Sequence, residues 1–190
     1  RAKRYIMGSA AALAASLLIA FGIAWLTPLN NADYHTQTAE ILDVPLQDGS
    51  KVFLDAKSAF SDLSDTETRR IKLHSGRAFF DVSPKDPRPF HVDMGEVTVR
   101  VTGTSFDMNY GEDWLAVSVK SGSVQVGAIS AAKEQSHDLT PGTRIRINRE
   151  TGNIIKDNRS QRLIGSWRTG RLIVENMTVA ELVEEIRRHY

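Results

Sequence analysis

The hydrophobic pattern of the chain begins with an uninterrupted apolar run over residues 6–26, which directly follows a basic segment at 1–5. These 21 residues carry no charge, and an α-helix of that length spans a hydrocarbon core of about 30 Å. The pattern predicts a transmembrane helix over 6–26, with the flank 1–5 in the cytoplasm because Lys and Arg favour that side. A cleavable secretory signal peptide is the alternative, since Gly22-Ile23-Ala24 fits a small-x-small cleavage site.

After a predicted linker at 27–33, apolar and polar residues alternate with period two over residues 34–150. Clear examples are Val97-Thr-Val99-Arg-Val101 and Ile145-Arg-Ile147. Such alternation is typical of half-buried strands, and the spacing of an amphipathic helix is missing from this stretch. The sequence therefore predicts a mainly β fold, with one all-β domain over 34–150.

A short motif recurs within this domain: an apolar residue, two further residues, a glycine, and then renewed alternation. Its copies are Leu46-Gln-Asp-Gly49, Leu73-His-Ser-Gly76, Val119-Lys-Ser-Gly122 and Leu139-Thr-Pro-Gly142. Glycine supplies a positive φ without steric cost, so each copy predicts a hairpin turn between strands that face one core. Strand pairs of this kind form a two-sheet roll, a sandwich or a short β-solenoid, and the sequence does not separate these.

The pattern changes towards the C-terminus. Residues 151–166 are predicted to be a linker, and 167–190 to be the start of a small α/β domain that the chain does not complete. A strand is expected over 171–175, followed by a helix with a capping box at Thr178-Val-Ala-Glu181. Val179, Leu182, Val183 and Ile186 recur at helical spacing and form one apolar face. Nothing later in the chain covers that face, so further sequence or a partner is expected to do so.

Composition narrows the function classes. Charge is balanced, with 24 basic and 23 acidic residues and no basic block after residue 4, which argues against nucleic acid as a partner. Cysteine is absent, which excludes disulfides and zinc–cysteine sites. The five histidines are scattered without ligand spacing, and Asp81 and Asp107 are expected to face solvent. With no catalytic motif present, we expect no turnover enzyme, no metal and no cofactor.

Gly103-Thr104 is one feature that could carry chemistry. It interrupts the strand pattern between Val97 and Met108, where a glycine usually marks a bulge or a close backbone approach. In a strained bend, the Thr104 hydroxyl can attack the preceding carbonyl and form an ester that water cleaves. Both interpretations, a plain bulge and a single self-cleavage event, follow from the sequence.

An ordered set of motif residues extends along nearly the whole chain. Its members are Tyr34, Thr36, Val44, Leu46, Asp48, Gly49, Ser50, Val52, Leu54, Leu73, Gly76, Ala78, Phe80, Asp81, Val82, Arg88, Pro89, Phe90, Val92, Val97, Val99, Val101, Gly103, Thr104, Phe106, Val117, Val119, Gly122, Val124, Val126, Leu139, Gly142, Trp167, Gly170, Leu172, Leu182, Val183, Ile186, Arg187, Arg188 and Tyr190. This set resembles the FecR-type transmembrane regulators, the anti-sigma partners of TonB-dependent transducers. Arg77 departs from the family, which usually carries an acidic residue after that glycine.

The resemblance implies a single-pass regulator of the bacterial inner membrane, with its N-terminus in the cytoplasm and its bulk, including the 34–150 β domain, in the periplasm. Such a protein relays an iron-siderophore signal from an outer-membrane receptor to an extracytoplasmic-function (ECF) sigma factor, which it contacts through a cytoplasmic segment preceding residue 1. Relay involves periplasmic protein binding and proteolysis by periplasmic and intramembrane proteases. Residues 167–190 would begin a domain similar to the short N-terminal domain of secretins and TonB receptors. Cleavage at Gly103-Thr104 is also implied.

The segment 167–190 is predicted to bind the periplasmic signalling domain of a TonB-dependent receptor, because a strand can extend a sheet and an uncovered helix face can pack on a partner. The predicted partner-binding residues are Leu172, Val174, Val179, Leu182, Val183 and Ile186. The competing prediction is a membrane-anchored or secreted periplasmic β domain that binds carbohydrate or peptide, which requires an aromatic-lined pocket. A periplasmic hydrolase is a third class, but the sequence offers no nucleophile–base pair for it.

Overall fold

The computed structural model describes residues 33–130, 133–170, 173 and 179–189. The predicted transmembrane helix at 6–26, its flank at 1–5 and nearly all of the predicted linker lie outside this part of the chain. Within it, no helix is long and apolar enough to cross a membrane.

The described residues form a mainly β fold, which confirms the predicted fold class. The strands are β1 (Tyr34–His35), β2 (Leu42–Pro45), β3 (Lys51–Leu54), β4 (Ala59–Asp62), β5 (Arg69–Asp81), β6 (Phe90–Met94), β7 (Val97–Val101), β8 (Ser105–Tyr110), β9 (Trp114–Ser121), β10 (Val124–Ser130), β11 (Lys133–Leu139), β12 (Thr143–Asn148) and β13 (Ile154–Asn158). The main path of the sheet has the order β11-β10-β7-β6-β5-β8-β9-β12-β13, and the short strands β1 to β4 pair beside β5 or with one another.

Strand β5 joins the two halves of this curled sheet. Its first half pairs with β4 and, in parallel, with β6, whereas its second half pairs with β3 and β8. We call the half with β6, β7, β10 and β11 part A, and the half with β8, β9, β12 and β13 part B. Both parts contribute to one core, in which Phe80 of part B stacks on Phe106 at 5.0 Å and meets Phe90 of part A edge-on at 6.3 Å between ring centroids. The sequence left a two-sheet roll, a sandwich and a short β-solenoid open, and the structure has a curled sheet in two parts around one core.

The glycine motif behaves differently from the hairpin prediction. Only Gly49 lies in a hairpin, between β2 and β3. Gly76 lies inside β5 where that strand passes from part A to part B, and Gly122 and Gly142 lie where the chain crosses between the parts. All four have φ between +77° and +82°. The hairpin prediction is therefore wrong for three copies, because the same positive φ that closes a turn can also redirect a strand into another sheet.

The segment 151–166 differs from the predicted linker. Strand β13 pairs with β12, and Ile154 packs against the core. The linker prediction is wrong there, because a short edge strand with an exposed Ile155 shows little of the alternation that marks strands. A single-turn 3-10 helix follows at Ser166–Thr169, and its Trp167 is buried against Phe79 on the outer face of part B.

The C-terminal helix, α1 (Val179–His189), is present as predicted. The predicted strand at 171–175 and the cap residue Thr178 lie outside the described residues, apart from residue 173. Helix α1 contacts part B through hydrogen bonds to its outer face, described below.

Candidate functional site

The predicted apolar face of α1 is exposed to solvent. Val179, Val183 and Ile186 are 78%, 40% and 45% exposed, and Leu182 is half-buried. Leu172 and Val174, the other two predicted partner-binding residues, lie outside the described part of the chain. The described portion of the apolar face is thus available to another molecule.

The opposite side of α1 faces the β sheet with charged side chains. Glu185 and Arg188 are buried, although residues of these types are rarely so unless paired. Arg77 Nη1 donates a hydrogen bond of 2.6 Å to Glu185 Oε1, and Arg188 Nη2 donates one of 3.0 Å to Asn109 Oδ1. Lys57 Nζ donates to the main-chain oxygen of Arg187 at 2.7 Å. The helix is therefore held by its polar side, which is the reverse of the usual arrangement of an amphipathic helix.

The polar contacts between α1 and the sheet form one buried group of side chains, which we call the helix-docking cluster. Its members are Asp55, Arg77, Asp107, Glu185, Arg188 and His189. Alternation along the strands explains why Arg77 and Asp107 lie in this cluster. Neighbouring residues of β5 and β8 face the core, namely Ala78, Phe80, Phe106 and Met108. Arg77 and Asp107 therefore face outward, under α1 and the 3-10 helix.

Arg77 is the centre of the helix-docking cluster. Its Nε donates to both Asp107 carboxylate oxygens, at 3.0 and 3.2 Å, and its guanidinium lies 5.4 Å from the Trp167 ring centroid. Trp167 Nε1 donates to Asp107 Oδ2 at 2.6 Å. Burial acts to lower the pKa of Arg77, but the carboxylates of Asp107 and Glu185 outweigh burial and raise it. Arg77 is thus a permanent buried cation, and the expectation that Asp107 faces solvent is wrong.

Asp55 adds a third buried carboxylate, directly after β3. Its Oδ1 accepts a hydrogen bond from the Ala56 amide at 2.9 Å and lies 3.5 Å from His189 Nε2. Its Oδ2 lies 3.8 Å from Arg188 Nη1. Burial raises the pKa of Asp55, against the attraction of Arg77 and Arg188. Sequence patterns missed this cluster, and its one signal was Arg77, the residue that departs from the family pattern.

Gly103 and Thr104 lie at the corner where the chain leaves β7 in part A and enters β8 in part B. The close backbone approach that the strand pattern suggested is present at Gly103, and the β8–β9 pairing shifts register beside it, between Ser105 and Phe106. Thr104 is only 3% exposed; its Oγ1 donates to the Ser123 carbonyl at 2.9 Å, and its own carbonyl accepts from the Val82 amide at 3.0 Å.

The peptide unit at this corner is enclosed from two sides. A Cβ on Gly103 would lie 2.6 Å from Pro84 Cβ, and one on Gly122 would lie 2.8 Å from both Gly103 O and Thr104 Oγ1. Each distance is too short for a side chain, so both glycines permit close approach of their neighbours. At this corner the Thr104 hydroxyl is oriented by its hydrogen bond to the Ser123 carbonyl.

The carbohydrate-binding alternative requires an aromatic-lined pocket. A cleft of about 750 Å³ is lined by Tyr110 and Trp114. Arg149 lies over the Tyr110 ring at 4.8 Å, and Arg146 over the Trp114 ring at 5.5 Å. Because guanidinium groups already lie over both rings, sugar stacking on those faces is not favoured.

Comparison with known proteins identifies the family of this chain. The model of the FecR protein family matches residues 32–125. The chain belongs to the FecR family. No curated protein matches it in sequence. Two crystal structures of a proposed anti-sigma factor from Parabacteroides distasonis ATCC 8503 are similar to it, at 28% identity and TM-scores of 0.75 and 0.74. The similarity covers 83% of this chain and 74% and 73% of the other two.

The family match includes Gly103-Thr104 and ends before β11, so α1 lies outside it. In this FecR-family chain, Arg77 of the matched domain contacts α1 through its 2.6 Å ion pair with Glu185.

Proposed function

We propose that this protein regulates a sigma factor by relaying a signal from an outer-membrane receptor across the inner membrane. Support comes from its membership of the FecR family and from its similarity to a proposed anti-sigma factor. The sigma factor, of the ECF class, is bound by a cytoplasmic segment that precedes residue 1. The helix at 6–26 anchors the chain as a single pass, and the β domain lies in the periplasm.

The observation that carries the proposal is the orientation of α1. Its polar side is engaged with the β sheet, and its apolar side, with Val179, Val183 and Ile186, is exposed. An apolar helix face presented by a rigid domain is a common means of recognising a folded partner. We assign this face to the periplasmic signalling domain of a TonB-dependent receptor, whose loading with an iron-siderophore is the input signal.

Ile186→Asp tests this surface. Placing a carboxylate in an apolar contact should weaken binding of the receptor domain at least tenfold, because a buried unpaired charge is strongly unfavourable. Ile155→Asp is the matched control, since Ile155 is 41% exposed and lies on β13, at the end of the sheet path. Calorimetric titration of each variant with the receptor domain measures the effect. Equal affinities for the two variants would move the interface away from α1.

Self-cleavage of the Gly103–Thr104 bond is the second part of the proposal. Thr104 Oγ1 attacks the Gly103 carbonyl carbon, an ester C–O bond forms, the amide C–N bond breaks, and the hydroxyl proton passes to the new amine. Water then hydrolyses the ester, leaving a carboxylate on Gly103 and the free hydroxyl on Thr104. The enclosed corner supports this step, and the match to the FecR family spans this pair of residues. Periplasmic and intramembrane proteases act on the chain afterwards.

Intact mass of protein purified without periplasmic proteases decides whether the bond breaks by itself. The unchanged chain should yield two fragments that stay associated, because β5 pairs with β8 and β7 with β10 across the break. Thr104→Ser should retain some cleavage. Thr104→Val, which keeps β-branching, should give one intact chain. Cleavage that persists in Thr104→Val would mean that an external protease is responsible.

The membrane topology is tested separately. A reporter that is active only in the periplasm, fused after Tyr190, should be active. A well-expressed but silent fusion would contradict the proposed orientation and leave the other two tests unaffected.

A further inference from the structure

Three potential metal ligands meet where α1 contacts the end of β3. Asp55 follows β3 directly, and Glu185 and His189 are four residues apart on α1, which places them on one side of the helix. One ligand atom from each of the three side chains lies within 4.8 Å of the others. The arrangement brings two carboxylates and an imidazole together from parts of the chain 130 residues apart.

Two carboxylate oxygens in this group are buried and accept no hydrogen bond from the described residues: Asp55 Oδ2 and Glu185 Oε2. Their side chains are 0% and 9% exposed. The other oxygen of each is used, Asp55 Oδ1 by the Ala56 amide and Glu185 Oε1 by Arg77. Arg188 Nη1 lies 3.8 Å from Asp55 Oδ2, within ion-pair range but too far for a hydrogen bond. A buried acceptor without a hydrogen bond is unfavourable and points to a bound water or ion that supplies the missing interaction.

The charges of the helix-docking cluster allow a cation. Asp55, Asp107 and Glu185 can contribute three negative charges, against the two positive charges of Arg77 and Arg188. A cation beside the two oxygens that accept no hydrogen bond would face this excess of carboxylates.

We propose that Asp55, Glu185 and His189 bind one divalent transition-metal cation, with Zn²⁺ as the best-fitting ion. Zinc sites with three protein ligands commonly combine imidazole nitrogen with carboxylate oxygen and leave a fourth position for water. Ligand atoms in such a site lie about 3.4 Å apart, so the three ligand atoms, which now lie within 4.8 Å of one another, move closer together when the ion binds. Calcium and magnesium need six or more oxygen ligands or several waters, which this buried group does not offer.

The bound metal ties α1 to the β domain. Its ligands come from both sides of the contact, so the metal adds a link between α1 and β3 that does not depend on Arg77. The position of α1 determines how its apolar face is presented, and metal binding therefore makes this face a more rigid surface. This inference stands independently of what binds that face.

Calorimetric titration of the full chain in detergent micelles, after chelator treatment, tests the site with Zn²⁺ alone. We expect one ion per chain with a dissociation constant in the micromolar range, tighter at pH 7.5 than at pH 6 because the ligands must lose their protons. Mg²⁺ should not compete. His189→Ala and Glu185→Gln should each weaken Zn²⁺ binding at least tenfold, and His91→Ala on β6 should leave it unchanged.

Visible absorption of the Co²⁺ form gives a readout that does not depend on stability. The unchanged chain should show the intense bands of a four-coordinate site, and His189→Ala should lose them while its far-UV circular dichroism stays the same. Absence of Zn²⁺ binding below the millimolar range, or equal affinity in His189→Ala, would overturn the proposal and assign the two oxygens to a bridging water or a proton.

Discussion

Replacing Arg77 with alanine measures how much its guanidinium, within the helix-docking cluster, contributes to the free energy of unfolding. Arg77 donates to two buried carboxylates, and its removal leaves both Asp107 and Glu185 without that cation. Breaking a buried ion pair by removing one partner typically costs about 3–5 kcal/mol. Asp107 keeps its hydrogen bond from Trp167, and Glu185 can reach solvent if α1 moves away. We therefore expect a loss at the lower end, about 3 kcal/mol in the free energy of unfolding.

Urea unfolding, followed by tryptophan fluorescence and by far-UV circular dichroism, measures this loss. Glu185→Gln should behave differently, because it weakens only the attachment of α1. We expect a change of about 1 kcal/mol or less in the unfolding of the β sheet, together with faster hydrogen exchange in α1. A double-mutant cycle between Arg77→Ala and Glu185→Gln should give a coupling energy of at least about 1 kcal/mol.

Arg70→Ala is the matched control on the same strand. Its side chain is 50% exposed and lies 3.5 Å from Asp93, so its removal should cost less than about 0.5 kcal/mol. A loss below about 1 kcal/mol for Arg77→Ala would refute the reasoning, since it would mean that the carboxylates of the cluster are solvated without this arginine.

Two further predictions concern the β domain. Gly122→Ala should lower the free energy of unfolding by about 2 kcal/mol or more, because the new Cβ would clash with Gly103 O at a residue that already has a positive φ. Gly170→Ala is the control: its φ is similar, nothing lies within 4 Å of the new Cβ, and urea unfolding should show a loss of about 1 kcal/mol. Stability should also fall as pH drops below about 4. Burial opposes ionisation of Asp48, but hydrogen bonds from Ser50 and the ion pair with Arg69 outweigh burial and lower the pKa of Asp48. The stability that Asp48 contributes is therefore present above its unfolded-state pKa and is lost below that pKa. Asp48→Asn should flatten this part of the pH profile, and an unchanged slope would exclude Asp48 as its cause.

The sequence correctly predicted the features that depend only on the pattern within one strand or one helix. Alternation identified the strands around Val97 and Ile145, because side chains on one strand point alternately to its two faces. Helical spacing likewise identified the apolar face of α1. Alternation placed Asp107 on the outer face correctly, but it did not reveal that α1 and the 3-10 helix cover this face. Burial of that kind depends on residues far along the chain, which local pattern does not record.

The glycine motif also predicted the backbone conformation without predicting the path of the chain. A positive φ was correctly expected at Gly76 and Gly122, but whether the chain turns back on itself or crosses to another part of the sheet depends on which strand it meets. At Gly76, Ser58 already occupies the position where a Cβ would lie, a contact that the spacing of the motif does not encode.

The continuity of β5 determines how the domain carries mechanical tension. The Gly103 corner is the covalent link between β7 and β8, but β5 pairs with β8 and β7 pairs with β10, so hydrogen-bonded ladders bridge the same corner. In an intact chain, a pulling force can unfold the domain but cannot separate its two halves, because they remain covalently joined. Once the corner is cut, the same force acts on the ladders alone. Cleavage would then change the domain from a permanent tether into one that separates above a threshold force, without any change in its resting structure.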